Sequence, residues 1–564
     1  MIISTVDKNN MIGLRWRDEN NKRVEEEVSY EEAPPYFFIE RSANKIKRMS
    51  VKEYGQSFTI DVSYEEGDYV SLEKKKLTKV TWSPPKPWYG KTLKNQFNKT
   101  YEADVAYSYR YAVDNIHDMP EYDLRKIYWD MEWQQGGEHD SAVTCISYYD
   151  SYTGVSNVLW WSPFESGSAI LPESIATIRE YEGHSKPFSS EHDMLESYVK
   201  LIEDSDPDML VAWFGSKFDL PKLIERLHAN DIDPRRLSPY HDVKGVFFDS
   251  GKGLKLTKAV NNYSPIEQPI RGRLVLNLDL AFERQWNDSQ RGTLPSMALD
   301  YVSELVLGTK KLVSEKFPDK NDFFQRGWLE DTQRYLDYAR VDVDLLVQID
   351  DNMNTSESVI ALQRLLKAPF EACFYASNMG GIYFMRNAWW KAPTGEKGER
   401  VNYEGAMIYD PLTEGTNGLH LGVAAFDFAQ LYPSMMIARN ISWETKSDVP
   451  TDFSVNILTP RDFSEVTKED MKYYKTDKLG LLPRAVLELK ELRDEYKRKM
   501  YASITVKDRV KWNSNQLAVK RLMASFYGIT AYQGFGWADV DIAASITASA
   551  REAIRCAAFK VMEL

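Results

Sequence analysis

The sequence predicts a multidomain protein of mixed α/β and α+β class, and four observations support this prediction. Its 564 residues correspond to roughly three to four domains of ordinary size. Residues 1–125 are rich in β-forming and charged residues, with turn signals at Asn9-Asn10 and Pro34-Pro35. Strands and helices then alternate to about residue 350, which is typical of an α/β domain. Two long helical stretches follow after residue 480.

The individual elements follow from hydrophobic periodicity and from capping signals. In chain order we expect a strand over Lys126–Trp133, its neighbour over Ala142–Tyr149, a helix over Glu191–Ile202, a strand over Met209–Trp213, a helix over Leu220–Leu227, helices between 354 and 390, a strand over Leu421–Phe426, a long helix that opens at Pro483, and another through Trp512–Phe526. Proline suits the first helical position, where a backbone N–H would have no intrahelical acceptor.

The composition excludes several classes of protein. The mean hydropathy is −0.48 and no stretch approaches 18 apolar residues, so we expect no membrane span. The first residues lack the basic and apolar regions of a signal peptide. Three scattered cysteines and seven scattered histidines form neither a disulfide framework nor a zinc motif. These features predict a protein that is not secreted and that works in a reducing, cytoplasmic compartment.

The charge is unevenly distributed. Its net value is −13, from 71 Lys/Arg and 84 Asp/Glu, which taken alone disfavours a nucleic-acid partner. Residues 481–521, however, contain 11 Lys/Arg against 5 Asp/Glu. The sequence therefore predicts an acidic protein with one basic arm.

Five residues in the first half suggest a metal-dependent site. Asp130 and Glu132 lie two apart on a predicted strand, so both carboxylates point to one face, where a divalent cation would relieve their repulsion. A solvated edge strand explains that pair alone at least as well. Asp219 follows a predicted strand, and Tyr338 and Asp342 would share one face of a helix. All five residues in this order would arise by chance much less often than any one of them alone.

Three strings that contain these residues resemble the exonuclease motifs of B-family DNA polymerases: Tyr-Trp-Asp130-Met-Glu132, Asp-Met-Leu-Val-Ala-Trp-Phe-Gly-Ser-Lys-Phe-Asp219 and Tyr338-Ala-Arg-Val-Asp342. The resemblance implies that the four acids hold two metal ions for phosphodiester hydrolysis and that Tyr338 orients the attacking water. One departure is Phe214, where the family usually has an Asn that helps to hold the single-stranded 3′ end.

A second group of motifs begins at Asp427. Taken alone, an Asp between a predicted strand and a helix is most often an N-cap. The string Asp427-Phe-Ala-Gln-Leu431-Tyr432-Pro-Ser, however, resembles the first polymerase motif of the family. By that resemblance Asp427 and the backbone of Phe428 bind catalytic metal, Leu431 lies at the triphosphate, and Tyr432 lies under the sugar and selects deoxynucleotides. Upstream, Tyr403-Glu-Gly405-Ala resembles the family's template-contacting element.

The basic arm matches the family's fingers. Lys490, Arg493 and Lys497 form one stripe at helical spacing, which taken alone is most often a solvated face. The string Lys520-Arg-Leu-Met-Ala524-Ser-Phe-Tyr527-Gly528 resembles the second polymerase motif. By resemblance, Arg493, Lys497, Lys520 and Tyr527 bind the incoming dNTP and Gly528 lies against DNA. The family's Asn is replaced by Ala524, which predicts weaker nucleotide binding unless Ser525 or another neighbour compensates.

The second carboxylate of the polymerase site is missing. The family supplies it in an Asp-Thr-Asp hairpin, and the sequence contains no such string. Asp539 and Asp541 follow Gly528 too closely, and we interpret them as turn or N-cap acids. We therefore expect a second polypeptide that carries Asp-Thr-Asp and a basic thumb. A precursor completed by splicing and a shortened chain are the alternatives.

The resemblance implies a chain organised as an N-terminal domain (1–125), a ribonuclease-H-like exonuclease domain (126–353), a helical return (354–392), a first part of the palm (393–473), fingers (474–530) and an incomplete second part of the palm (531–564). The expected function is template-directed DNA synthesis with 3′–5′ proofreading, with two Mg²⁺ ions in each site and Mn²⁺ as the alternative. The implied partners are primed DNA, dNTPs and a sliding clamp, at a nucleoid or viral replication site. A stand-alone 3′–5′ exonuclease, a non-catalytic DNA-binding subunit and a protein-primed polymerase are alternatives.

Overall fold

The computed structural model describes residues 1–53, 55–136, 139–161, 185–249, 251–288, 292–395, 402–407, 418–459, 466–532 and 534–563. The chain forms two compact units. Unit 1 contains Met1–Ser29, Asp118–Arg364 and Pro369–Phe374, and unit 2 contains Tyr30–His117, Leu365–Ala368 and Tyr375–Leu564. Both units are therefore discontinuous in sequence. The boundaries of the six sequence-defined domains stay predictions, and parts of the exonuclease and palm segments lie outside the described residues.

The strands β1 to β19 are, in chain order, Ile2–Val6, Met11–Arg17, Arg23–Ser29, Phe37–Glu40, Arg48–Glu53, Gln56–Val70, Lys76–Ser83, Thr100–Tyr101, Lys126–Trp133, Val143–Asp150, Val155–Trp161, Ser185–Phe188, Met209–Ala212, Val246–Asp249, Gly253–Leu256, Leu274–Asn277, Lys446–Ser447, Ser454–Leu458 and Met471–Lys475. Eight of them fall within residues 1–125, which confirms the β-rich N-terminal region.

The α-helices α1 to α15 are, in chain order, Gly90–Leu93, Tyr107–Asn115, Glu191–Ser205, Asp219–Ala229, Leu278–Asp288, Leu299–Leu307, Lys320–Asp322, Trp328–Glu330, Thr332–Met353, Thr355–Leu366, Ala376–Asn387, Leu431–Ala438, Leu481–Ala502, Val506–Ala531 and Val540–Met562. None of the described helices is both long and apolar enough to cross a membrane.

Unit 1 is built on a mixed six-stranded sheet of order β12-β11-β10-β9-β13-β16. The central strand β9 pairs antiparallel with β10, the neighbour that the sequence predicted, and parallel with β13. The side chains of β9 alternate between its two faces, and Ile127, Trp129 and Met131 on one face belong to the apolar core. The opposite face, which carries Tyr128, Asp130 and Glu132, lies towards α9, where Tyr128 donates a hydrogen bond to Asp350 at 2.5 Å.

A small antiparallel sheet, β1-β2-β3, completes unit 1 through buried ion pairs. Arg15 and Arg23 contact Asp206 at 3.1 and 2.8 Å, and Arg273 contacts it at 2.7 Å. Arg17 and Arg23 bind Asp208, whose side chain is fully buried, at 2.9 and 2.5 Å. Burial opposes the charge of Asp206, but the three surrounding guanidinium groups outweigh it and hold the pKa of this carboxyl well below its usual range.

Unit 2 contains a five-stranded antiparallel sheet, β5-β6-β7-β4-β8, and a three-stranded sheet, β17-β19-β18. Its helical part is organised by an aromatic cluster in which neighbouring ring centroids lie 4.8–5.8 Å apart: Phe384, Phe526, Trp390, Trp443 and Trp537. Helix α11 can approach α14 closely because it has Gly380 at the contact, where an added Cβ would lie 1.6 Å from Ile529.

Helices α13 and α14 form an antiparallel pair joined by three residues, and they confirm the two long helices predicted near the end of the chain. Helix α13 begins at Leu481, two residues before the predicted start. Pro483 is still tolerated because the N–H groups of the first turn have no intrahelical acceptor. Asp539 caps α15 by accepting hydrogen bonds from the backbone of Asp541 and Ile542, which confirms its interpretation as an N-cap acid.

The predicted strand over Leu421–Phe426 is wrong. These residues form no regular structure, and Leu421, Val423 and Phe426 are 88%, 73% and 88% exposed. A strand needs a neighbour for its backbone N–H and C=O groups. No described strand pairs with this segment. Its apolar sequence alone therefore cannot hold it in a sheet.

Replacing Asp206 by Asn should lower the free energy of unfolding of unit 1 at pH 7 by about 2–4 kcal/mol, because three guanidinium groups lose their shared negative partner. The folded-state pKa of Asp206 is depressed, so its contribution is present above the usual aspartate pKa of about 4 and is lost as the pH falls below it. Urea unfolding at pH 7 and pH 3 measures both effects. Asp204→Asn, which removes an exposed pair with Lys200, is the control. Equal effects of the two substitutions would contradict the prediction.

Candidate active sites

Unit 1 brings the predicted acids of the first half together. Asp130 and Glu132 lie on β9, and Asp342 lies one helical turn after Tyr338 on α9. Carboxylate oxygens of Asp130, Glu132 and Asp342 lie within 4.8 Å of one another. Asp219, the first residue of α4, lies close enough to Asp130 for their charges to repel each other. These four acids are called the carboxylate cluster below.

The carboxylate cluster is electrostatically unfavourable by itself. Burial and the repulsion of Asp342 raise the pKa of Asp130 to about 7. Burial, together with Asp130, holds the pKa of Glu132 and that of Asp219 well above their usual range. Like charges that lose their hydration in one small space favour protonation, unless a cation replaces the lost water. The cluster therefore has the properties of a cation site.

The donor set fits a hard divalent cation. Asp342 is 0% exposed, and its Oδ1 has no hydrogen-bond partner among the described residues. A buried carboxylate oxygen without a partner is costly, and metal coordination would satisfy it. All the candidate ligands are carboxylate oxygens, which are the ligands that Mg²⁺ and Mn²⁺ prefer. The residues present would thus accept such an ion.

Lys311 also belongs to this site, and the sequence motifs did not indicate it. Its ammonium donates to Asp342 Oδ2 at 2.5 Å and to the Tyr338 hydroxyl at 3.3 Å. Burial opposes its charge, but Asp342 raises the pKa of Lys311 above its ordinary value, so it remains a cation. The backbone N–H of Lys311 donates a hydrogen bond to Asp300 Oδ1 at 2.9 Å. The only signal in the sequence was a pair of lysines just after Gly308, which ends α6 in the left-handed region.

Unit 2 gathers the predicted tyrosines of the second half. The rings of Tyr432, on α12, and Tyr527, on α14, have centroids 4.7 Å apart. The hydroxyl groups of Tyr403 and Tyr527 are 2.8 Å apart and share a hydrogen bond. Arg551 on α15 donates to the carbonyl groups of Glu404 and Gly405 at 2.7 and 2.5 Å. The Tyr403 segment is therefore held against the helices that carry the other two tyrosines.

The remaining predicted residues of unit 2 are less organised. Asp427 and Phe428 are exposed and lie outside regular structure, and Gln430 is left-handed at φ 57° before Leu431 begins α12. Among the described residues, Asp427 forms no ion pair with the basic arm.

The three cations of the basic arm that were predicted to bind the dNTP differ in their surroundings. Arg493 is half-buried and donates to Gln516 on α14 at 3.2 Å, one helical turn from Lys520. Lys497 is half-buried on α13, and Lys520 is exposed. The hairpin thus brings Arg493 near the α14 face that carries Lys520.

The structure shows the surroundings of Ala524, which departs from the second polymerase motif, and of the two motif glycines, Gly405 and Gly528. Ala524 is exposed, and Ser525 is buried with its hydroxyl donating to the carbonyl of Leu522 at 2.7 Å, so Ser525 does not replace an exposed amide. An added Cβ at Gly528 would lie 3.8 Å from Ala376, and one at Gly405 would meet nothing within 4 Å. The fold itself therefore requires neither glycine.

Comparison with known proteins agrees with this arrangement. A model described as DNA polymerase family B matches residues 365–563, and one described as DNA polymerase family B, exonuclease domain, matches residues 94–281. The chain belongs to DNA polymerase family B. The exonuclease match includes Asp130, Glu132 and Asp219, whereas Tyr338 and Asp342 lie beyond its end and join the site through the geometry of α9.

Relatives of this family B chain come from archaea and eukaryotes. It is 25% identical to a DNA polymerase of Pyrococcus glycovorans over 80% of this chain and 53% of the relative. It is 24% identical to a DNA polymerase delta catalytic subunit of Candida albicans over 94% of this chain and 50% of the relative. The chain thus spans about half the length of the curated relatives it matches.

The fold also resembles that of a solved polymerase. The structure of the family B DNA polymerase from the hyperthermophilic archaeon Pyrobaculum calidifontis matches with a TM-score of 0.69 and 17% identity, covering 100% of this chain and 71% of that chain. This likeness confirms the multidomain α/β and α+β class, with its β-rich N-terminal region and helical C-terminal part.

Replacing Asp342 by Asn should weaken Mn²⁺ binding by more than about 10-fold, because even indirect ligand partners contribute that much to metal affinity. Calorimetric titration of the protein with Mn²⁺ measures the affinity without any need for activity. Asp344→Asn is the control, since Asp344 lies on the same helix but accepts a hydrogen bond from Ser156 instead. Unchanged Mn²⁺ binding in the Asp342 variant would show that the carboxylate cluster is not the metal site.

Proposed function

We propose that unit 1 is a metal-dependent 3′–5′ exonuclease acting on DNA, and that unit 2 carries part of a DNA-polymerase active site. The convergence of Asp130, Glu132 and Asp342, beside Asp219, carries the first part of this proposal. Membership of DNA polymerase family B supports DNA as the substrate. The site residues and the two ions expected in each site are parts of this proposal.

The chemistry of unit 1 is phosphodiester hydrolysis at a DNA 3′ end. A divalent cation bound by the carboxylate cluster would lower the pKa of water and stabilise charge on the leaving oxygen. Burial and Asp342 raise the pKa of Tyr338, so its phenol keeps a proton at neutral pH and can hold the attacking water by hydrogen bonding. Lys311 places a fixed positive charge beside Tyr338 and Asp342, where negative charge accumulates during hydrolysis.

The chemistry of unit 2 is the binding of a deoxynucleoside triphosphate and a primed template. Tyr432 and Tyr527 form a rigid aromatic surface for the sugar, and Tyr403 and Gly405 lie on the side proposed for the template. Arg493, Lys497 and Lys520 provide cations for the triphosphate. A complete synthesis site also needs a carboxylate opposite Asp427, on the same polypeptide or on another one. The expectation of a second polypeptide or of a sliding clamp rests on the sequence resemblance alone.

A stand-alone exonuclease is the second candidate function. One observation favours it: the carboxylate cluster is assembled among the described residues, whereas Asp427 is exposed and without a carboxylate partner there. The retained tyrosines and cations of unit 2 favour the polymerase, because an exonuclease has no use for them.

The chain incubated with a 5′-labelled primer on a template, dNTPs and Mg²⁺ should shorten the primer. Replacing both Asp130 and Glu132 by Ala should reduce shortening by about 100-fold or more, since the metal ligands are lost, whereas Asp427→Ala should leave it intact. A denaturing gel records shortening and extension together. Extension that Asp427→Ala abolishes would support synthesis by unit 2. Shortening that survives the double substitution would refute the proposed exonuclease site.

Replacing Lys311 by Gln should lower the rate of shortening by about 100-fold, because a preorganised charge at the site of reaction is removed. Lys311→Arg should restore part of the rate by restoring the charge. Lys310→Gln is the matched control, since Lys310 pairs with Glu304 on the surface. Single-turnover rates, with thermal unfolding as a folding check, make the comparison. Equal rates for the Gln and Arg variants would show that Lys311 acts only through packing.

A further inference from the structure

Unit 2 contains a pocket that is separate from the residues predicted for DNA synthesis. Its volume is about 300 Å³, which falls at the lower end of the range for small-molecule sites. Its walls come from residues between 102 and 109, from helix α11, and from the short segments 392–393 and 535–537. None of the described residues that we expect to bind metal, dNTP or DNA lines it. It is called the acidic pocket below.

The walls of the acidic pocket are fixed by the protein's own contacts. The backbone N–H of Glu102 donates a hydrogen bond to the carbonyl of Ala392 at 3.0 Å. A Cβ added at Gly536 would lie 2.0 Å from the carbonyl oxygen of Pro393, so these two segments pack backbone against backbone. Trp537 belongs to the aromatic cluster of unit 2. The pocket is therefore pre-formed, as sites for small molecules usually are.

Most of the lining of the acidic pocket is apolar. Its largest side chains are three aromatic rings and two non-aromatic chains: Tyr109, Phe535, Trp537, Ile382 and Met385. Contact with such a surface releases water from an apolar ligand and favours its binding. Aromatic faces also attract organic cations, because the face of the ring carries partial negative charge. The pocket therefore suits a ligand that has an apolar body with a positive charge next to it.

Glu102 brings an incompletely paired carboxylate to this pocket. Its side chain is 1% exposed, and Oε2 accepts a hydrogen bond from Arg110 at 2.6 Å. The other oxygen, Oε1, is buried and has no hydrogen-bond partner among the described residues. An unpaired buried carboxylate oxygen is unfavourable, and a hydrogen-bond donor on a ligand would satisfy it. The backbone of Glu102 is also left-handed, at φ 54°, and strain of this kind is typical of functional positions.

Asp104 gives the acidic pocket an excess of negative charge. It is exposed, and its Oδ2 accepts a hydrogen bond from the backbone N–H of Gly395 at 3.1 Å. Within the part of the chain that the structure describes, Asp104 forms no ion pair, whereas Glu102 is paired with Arg110. None of the described lining residues is Lys, Arg or His. Two carboxylates and one guanidinium group therefore leave a net negative charge, which attracts cations and repels anions.

We propose that the acidic pocket binds a small organic ammonium ion, that is, a protonated primary amine on an apolar body. The ammonium group would donate hydrogen bonds to Glu102 Oε1 and to the carboxylate of Asp104, and the apolar body would lie against the aromatic rings. A neutral donor would leave the charge of Asp104 unbalanced, and an anion would be repelled. The inference goes beyond the proposed function, since the pocket shares no described residue with either candidate active site.

The test is a ligand-detected NMR titration of the full chain at pH 7. Phenethylammonium and 2-phenylethanol share one aromatic body with and without the positive charge, and phenylacetate carries the opposite charge. Nα-acetyl-lysine methylamide represents the side chain of a partner protein. At least one of the two ammonium probes should bind about 10-fold or more tightly than 2-phenylethanol, because a charge strengthens the hydrogen bonds. Phenylacetate should not bind. The tighter ammonium probe identifies the source as a free amine or a protein side chain.

Two substitutions test the carboxylates. Asp104→Asn removes the exposed charge and should weaken binding of the ammonium probe by about 3- to 5-fold, while binding of 2-phenylethanol stays unchanged. Glu102→Gln should weaken it by about 10-fold or more, with thermal unfolding as a check because Arg110 loses its charged partner. Asp114→Asn is the matched control for charge, since Asp114 is exposed on α2, accepts a hydrogen bond from Tyr36 and does not line the pocket.

Ser377→Phe makes the test independent of charge. The added ring would fill the pocket from a half-buried position on α11, so every probe should bind about 10-fold or more weakly. Three outcomes would overturn the inference: neither ammonium probe binding more tightly than 2-phenylethanol, phenylacetate binding as tightly as the ammonium probes, or ammonium binding that survives both Asp104→Asn and Ser377→Phe. If Ser377→Phe unfolds, the comparison of Asp104→Asn with Asp114→Asn decides, since both positions are exposed.

Discussion

The mutual repulsion of four acids around the end of β9 is the constraint on which unit 1 depends. One face of this central strand is apolar, and the other presents Asp130 and Glu132 to α9, where a core built for stability would place apolar residues. Lys311 compensates the negative charge of Asp342. The remaining negative charge is the reason that we propose the cluster as a cation site. Stability is thus given up at the point where chemistry needs concentrated negative charge.

Unit 2 depends on aromatic packing instead of buried charge. The aromatic cluster fixes α11 and α14, and α14 in turn presents Tyr527 to Tyr432 and Tyr403. The packing of these helices therefore positions the three tyrosines before any ligand binds. Asp427 lies instead on a segment that no described strand stabilises. The two candidate sites therefore differ in what they require. The proposed site of unit 1 needs an ion, and that of unit 2 also needs a further element that packs against the segment carrying Asp427.

Much of this organisation could be predicted from the sequence, and the failures have physical reasons. Strand β9 follows from its local sequence pattern, and the spacing of Tyr338 and Asp342 places them on one face of the helix on which they lie. The segment over Leu421–Phe426 has an equally clear pattern, but a strand requires a partner that its own sequence cannot supply. Lys311 was missed because its role arises only when α9 brings Asp342 to it. The left-handed backbone conformation of Phe214, the departure from the second exonuclease motif, likewise becomes visible only in the structure.

The ion pairs between β2 and Asp206 have a consequence for synthesis on the ribosome. Arg15 precedes its acidic partner by 191 residues, so translation leaves the first three strands without that partner for roughly 10–40 s. Glu25 on β3 pairs with Arg15 inside the sheet, but Arg15, Arg17 and Arg23 lack Asp206 and Asp208 during this time. The N-terminal sheet therefore reaches its native contacts only after the middle of unit 1 has been synthesised. Contacts between such distant residues give this unit a high contact order, so the first residues of the chain are among the last to form native contacts.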